Sequence, residues 1–226
     1  MLPSVAGVVI FVLLPFLDVV RRSFVTAVTQ EWIGFRNYKI IFSNQAFGLA
    51  VKNTVRFTLV CLPLLIGIGL FLSLQLSRLK EMQLIKSLFL FPMAMPAATV
   101  VLIWKMMFSR QGFLNGWLMG AGFPGDGALP DYMGTSAAFW VLVFSYIWKN
   151  LGYTMVLWLA GIFSVSTDLT EAARVDGATD RQCFWRVVFP NLKGSLYTIT
   201  VLSFLNSFKV FREAYLVAGS YPHESM

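Results

Sequence analysis

The sequence predicts an all-α membrane protein, a polytopic bundle of helices that cross a bilayer. Three observations carry this. Of 226 residues, 57% are apolar and only 13% are charged, against about 25% charged in a soluble domain. With a mean hydropathy of +0.69, the chain cannot cover itself with polar side chains. Five mostly apolar stretches lie at roughly 3–20, 55–76, 84–107, 137–162 and 195–217, each near the ~20 residues that span hydrocarbon. None alternates with a period of two, which disfavours a β-barrel. Backbone groups in lipid must then pair within their own segment, so the spans are helices.

The first stretch lacks the basic leader and the A-x-A site of a cleaved signal peptide, and four further spans follow it, so it reads as a retained helix. Next comes a polar segment, 21–53, whose Trp32, Phe35 and Tyr38 suit an amphipathic stretch at headgroup level. The second span ends in the basic turn RLKEMQLIK, and the third contains Pro92 and Pro96, which predict a kink. From Phe108 to Ser136 the chain is rich in glycine, including Gly112, Gly116, Gly120, Gly125, Gly127 and Gly134. An irregular connection outside the hydrocarbon is expected there. The fourth span, a charged segment at 163–194 and the fifth span complete the series.

Several functions are excluded or disfavoured. The net charge of +7 comes from Lys and Arg scattered over every connecting segment, which suits anionic lipid headgroups better than nucleic acid. Cys61 and Cys183 are too few and too separated to form a disulfide framework or metal site. His223 is the only histidine and is assigned no role. The chain contains no G-x-x-x-x-G-K-[ST] nucleotide loop, no Ser/His/Asp set and no HExxH. An enzyme is not expected, nor a bound cofactor.

Within the spans, polar residues fall on shared helical faces. Tyr146, Asn150 and Tyr153 stand at i, i+4 and i+7, and Ser203, Asn206 and Ser207 at i, i+3 and i+4. Polar groups at membrane depth usually face a bundle interior or a cavity. Two uses stay open for them: hydrogen bonds between helices, or contact with a solute. Lys209 and Glu213 are four apart and can pair, while Lys149 can enter a cavity or snorkel.

The charged segment is the most informative. It reads EAARVDGATDRQCFWRVVFP from Glu171 to Pro190. Thr167 or Asp168 is placed to cap a helix, and Ala172 and Ala173 favour it. Gly177 permits a sharp or left-handed turn. A second helix, roughly 180–188, should lead to Pro190 at the mouth of the fifth span. The plain alternative is an ordinary charged loop covering two helix ends.

This segment resembles, position for position, the coupling loop of permease subunits of ATP-binding-cassette (ABC) importers. Their pattern is Glu-Ala-Ala, three residues, Gly, nine residues and Ile-x-Leu-Pro. Glu171, Ala172, Ala173, Gly177 and Pro190 occupy it, with Val187 and Phe189 replacing the aliphatic pair. Nearly the whole chain is similar to the carbohydrate-type permeases, the maltose and glycerol-3-phosphate group. Gly34, Asn37 and Tyr38 fit G-x-x-N-Y, Gly112 to Asn115 fits G-x-x-N, and Asn53-Thr54, Trp104, Ala160-Gly161 and 207–211 add weaker matches.

The resemblance implies a subunit of a bacterial or archaeal cytoplasmic-membrane importer. Its partners would be a second permease subunit, two ATPase subunits that bind the ATP, an extracytoplasmic solute-binding protein and a sugar. It places the coupling segment on the cytoplasmic side. Lys/Arg counts do not decide orientation, standing at seven on each side. It assigns Glu171 and Asp176 to basic groups of the ATPase, and has Phe184 pack inward. Tyr146, Asn150, Tyr153, Ser203, Asn206 and Ser207 become candidates for the solute pathway. The family core usually has six helices; with five found and the sixth apparently missing, the expectation is a chain shortened at its C-terminus. The other reading is a membrane assembly or scaffold protein whose polar loop binds a partner other than an ATPase.

Overall fold

A computed structural model describes residues 2–79, 82–122 and 131–218. Lys80, Gly125, Gly127 and His223 lie outside the described residues, as does the side chain of Arg212. Everything described is helical or connecting, apart from an isolated β-bridge between Val25 and Trp32. Two compact units divide between Lys52 and Asn53.

In the first unit, α1 (Leu2–Ser23) is 22 residues long and has none of its apolar window buried. It widens into a π turn over Val9–Leu13, just before Pro15. A proline ring clashes with the carbonyl four residues back, here Phe11, and a wider turn relieves that clash. The same device recurs at the π turn Phe184–Val188 before Pro190.

After α1 the chain folds on itself ahead of α2 (Arg36–Ser43). Gly34 takes φ +57°, a left-handed value that favours glycine. The Asn37 amide donates to the carbonyls of Ser23 and Val25, both at 2.9 Å, and the hydroxyls of Tyr38 and Ser23 meet at 2.7 Å. Phe24 packs against Trp32, Phe35 and Tyr38. The G-x-x-N-Y residues are therefore the staples of this turn.

The second unit is built around α7 (Ala137–Ser164), 28 residues long. At 1.5 Å per residue such a helix can cross the hydrocarbon. Among the described residues, however, length and apolarity alone single out just α1 and α3 (Gln45–Leu76) as spans, with the bent pair Gln83–Ala94 and Ala97–Gly120 as a third if counted together. The polar side chains of α7, Lys149 and Asn150 among them, reduce its apolarity without shortening it.

Two expected spans are interrupted. The third, expected as one kinked helix, breaks between α4 (Met82–Ala94) and α5 (Ala97–Phe108), and the stretches Gln83–Ala94 and Ala97–Gly120 on either side of the break are bent by 94°. Pro92 is accommodated inside α4, whereas Pro96 starts α5 with ψ 143°. Proline also disfavours helical geometry in the residue before it, here Met95, so the helix stops. The fifth divides into α10 (Lys193–Ser207), a 3₁₀ turn at Phe208–Val210, and α11 (Phe211–Ala218).

The glycine-rich connection is likewise less irregular than expected, because α6 (Phe113–Gly120) occupies part of it. Gly112 is required there by space: a Cβ would lie 2.7 Å from the Met107 carbonyl oxygen.

Buried side chains cluster along α7. Phe139, Leu142, Val143 and Tyr146 pack with Phe57, Cys61 and Leu65 of α3. Trp158 packs with Leu192 and Ile199, and its indole N–H donates to the Ile66 carbonyl at 3.1 Å. Glycines set the closest approaches. A Cβ on Gly152 would strike the backbone of Phe89 in α4, and one on Gly69 would lie 2.8 Å from Thr154 Cγ2. Small residues admit this proximity where helices pack in lipid.

Candidate functional site

Two regions matter: the charged segment between α7 and α10, and a cleft bordered by those two helices. In the segment, α8 (Thr167–Val175) is capped by Ser166, whose hydroxyl accepts from the Asp168 amide at 3.3 Å. The cap is thus one residue before Thr167 and two before Asp168, the expected caps, since Thr167 is already the first helical residue. At the other end, the Ala178 amide donates to Ala173 O and the Gly177 amide to Arg174 O, both at 3.0 Å. These paired bonds form a Schellman turn, which needs a left-handed residue after the helix. Gly177 supplies it with φ +82°.

The return helix α9 (Asp180–Cys183) starts with a reciprocal capping box between Thr179 and Gln182. It continues through the Phe184–Val188 π turn and Phe189–Asn191 into α10. Arg174 pairs with Asp180 across the turn at 3.4 Å, both well exposed, an ion pair of little energetic weight.

Glu171, Ala172, Asp176, Gly177 and Pro190 are exposed, while Ala173 is half-buried. Phe184 is half-buried against Trp185 and Phe189. Its neighbour Cys183 is buried as well, which composition gave no reason to choose. Leu169 and Val175 are 50% and 87% exposed, leaving apolar surface beside the acidic groups.

The cleft has a volume of about 240 Å³. Three of the six polar residues picked from the sequence line it: Tyr146, Asn150 and Asn206. The others do not. Ser207 is buried and meets Thr58 Oγ1 at 3.0 Å, Ser203 is buried, and Tyr153 lies half-buried away from the lining. The Tyr146 hydroxyl donates to the Ser203 carbonyl at 3.0 Å. Its polar tip is therefore engaged between helices.

Charges complete the lining. Lys149 Nζ and Glu213 Oε1 stand 3.0 Å apart, with 18% and 19% of their side chains exposed. This corrects the expected Lys209–Glu213 pair: Lys149 reaches Glu213 from α7, while Lys209 Nζ donates to Asn206 Oδ1 at 3.5 Å. The 3₁₀ turn at Phe208–Val210 alters the helical register that the i, i+4 pairing assumed. Met93, Leu142, Ser145 and Val210 also line the cleft; no sequence period distinguishes them from core residues. Among the described residues, no group of three or more His, Cys, Asp or Glu could hold a metal.

The described residues form a helical bundle in which a self-capped loop joins α7 to α10. Residues 65–222 match the family described as binding-protein-dependent transport system inner membrane component, and the chain belongs to that family. It is a multi-pass permease subunit of the ABC importer class.

The chain is 29% identical to the trehalose/maltose transport system permease protein MalF of Thermococcus litoralis, over 98% of this chain and 76% of that protein. It is 32% identical to the xylose/arabinose import permease protein XacH of Haloferax volcanii, over 81% and 58%. In structure it resembles a bacterial ABC transporter involved in the import of the acidic polysaccharide alginate. The TM-score is 0.83 at 22% identity, covering 99% of this chain and 77% of that one. That likeness shows the same fold.

Proposed function

We propose that the chain is a membrane-spanning subunit of an ATP-driven, binding-protein-dependent importer for a sugar or oligosaccharide, in a bacterial or archaeal cytoplasmic membrane. It would act with a second permease subunit, two ATPase subunits and an extracytoplasmic solute-binding protein. The sugar permeases among its relatives support the substrate class. A solved structure of the same fold, an alginate ABC transporter in complex with a pentasaccharide-bound periplasmic protein, supports the binding-protein partner.

The observation that carries the coupling role is the form of the α8–Gly177–α9 segment. Its caps and Schellman turn are satisfied internally, so it can move as a unit. Its exposed face offers Glu171, Asp176, Leu169 and Val175, the mixture that suits a short helix docking in a partner's groove. Its ends continue into α7 and α10, which border the cleft. Movement of an ATPase groove would thus be transmitted to the helices around the solute. Transport is alternating access, in which nucleotide and solute bias two states by their differential affinity.

The test is affinity purification from the native membrane, with ATPase assays on the recovered complex. Wild type should bring down a second permease and an ATPase, and Glu171→Ala should insert normally yet lose solute-stimulated ATP hydrolysis. Stimulated hydrolysis that survives in the variant would remove Glu171 from the coupling role, and recovery of the chain alone would favour the scaffold reading.

A further inference from the structure

We propose that the solute accepted by this cleft carries an anionic group, a carboxylate or phosphate on a saccharide, and that Lys209 receives it. The inference rests on reading the cleft as the solute path and goes beyond it by naming the solute's charge.

The argument starts from the charges that line the cleft. Two ammonium groups, Lys149 and Lys209, face a single carboxylate, Glu213. Glu213 is committed to Lys149 at 3.0 Å, and both side chains are about four-fifths shielded. Lys209 has a neutral partner, the Asn206 amide oxygen, at a long 3.5 Å, and its residue is exposed. Among the described residues, no carboxylate lies within ion-pair distance of Lys209.

A charge held among apolar helices is costly unless it is neutralised or faces a cavity. Met93, Leu142 and Val210 make part of this lining apolar, which reduces the screening of whatever binds. An ammonium with an uncharged partner in such a place is poised for an incoming anion. Asn150 and Asn206 supply amide groups to hydroxyls, and the Tyr146 ring supplies a flat apolar surface. The set matches an acidic sugar better than a neutral one, because only the acidic one makes use of the ammonium that no carboxylate neutralises.

The experiment is calorimetric titration of the purified importer complex, reconstituted in lipid nanodiscs, with trigalacturonate, glucose 6-phosphate and maltotriose. The two anionic probes distinguish a carboxylate from a phosphate as the preferred group. At least one should bind about tenfold tighter than maltotriose, a modest electrostatic gain. Lys209→Gln should bring that ratio to about one, with an unchanged melting temperature because the side chain is exposed.

Equal or tighter binding of maltotriose would overturn the proposal, as would binding of no probe or a preference that survives Lys209→Gln. Asn150→Leu separates the two layers. If it weakens maltotriose binding while wild type shows no anion preference, the cleft is the solute path but the charge assignment is wrong. If neither variant changes binding of any probe, the cleft is not the solute path.

Discussion

The charged segment and the cleft border the same two helices but are stabilised differently. In the segment, bonds are local: Ser166 to Asp168, Ala173 to Ala178, Thr179 to Gln182. In the cleft region they join distant parts of the chain: Tyr146 to Ser203, Lys149 to Glu213, Thr58 to Ser207. The first arrangement survives movement relative to the bundle, whereas the second depends on how the helices stand against one another.

Substitution can break this contrast, and the largest effect is expected where backbones touch. Gly152→Ala would drive a methyl into the Phe89 backbone, which cannot rotate away as a side chain can. Overpacking of this kind costs about 3 kcal/mol, and the detergent-solubilised protein should melt about 10 °C lower. Gly194→Ala is the control, since nothing lies within 4 Å of its added Cβ. Equal melting of the two variants would show that α4 and α7 are not in close contact.

Next in size is the ion pair of the cleft. Glu213→Gln leaves Lys149 without its counter-charge in a partly shielded site, at a cost of roughly 1–3 kcal/mol. Lys149→Gln should cost a similar amount. The double variant should lose less than the sum of the two, and strict additivity in that cycle would mean the groups do not interact.

Changes in the charged segment should be smaller and confined to it. Gly177→Ala forces an L-residue to φ +82°, a strain of about 1 kcal/mol. It should speed hydrogen exchange at the amides of residues 177 and 178 without moving the melting temperature of the bundle. A global melting shift would show that the segment is an integral part of the core.

The caps should have effects equal to that or smaller. Thr179→Ala removes a hydroxyl that both accepts from the Gln182 amide and donates to its side chain and should cost about 1 kcal/mol, while Ser166→Ala, which removes one bond, should cost about 0.5 kcal/mol. The relative exchange rates of the first turns of α8 and α9 measure this order, and the reverse ranking would contradict the capping geometry.

These differences also explain what could be read in advance. The Gly177 turn was legible because a left-handed residue after a helix is a local demand with a glycine signature. The α8 cap was expected one or two residues too late, at Thr167 or Asp168, because Ser166, Thr167 and Asp168 are all capable caps and only backbone dihedrals choose among them. Tyr146 and Asn150 were recognised as polar residues on one helical face, yet the same rule also selected Tyr153, which the cleft does not include. Met93 and Val210 could not be found at all, since an apolar side chain lining a cleft has the same sequence pattern as one in a core.

By itself, the sequence determined the helical membrane class, the approximate position of each apolar segment and the helix–turn–helix character of the charged segment. Those follow from composition, from hydrocarbon thickness and from bonds between residues a few positions apart. Only the tertiary structure decided that Lys149, not Lys209, takes Glu213, that Ser207 bonds Thr58, and that the third apolar segment breaks at Pro96 by 94°. Each depends on which helix faces which, and on how far a proline bends the chain before packing resists it. Such pairings join residues up to 149 positions apart, and no local pattern can specify a partner at that distance.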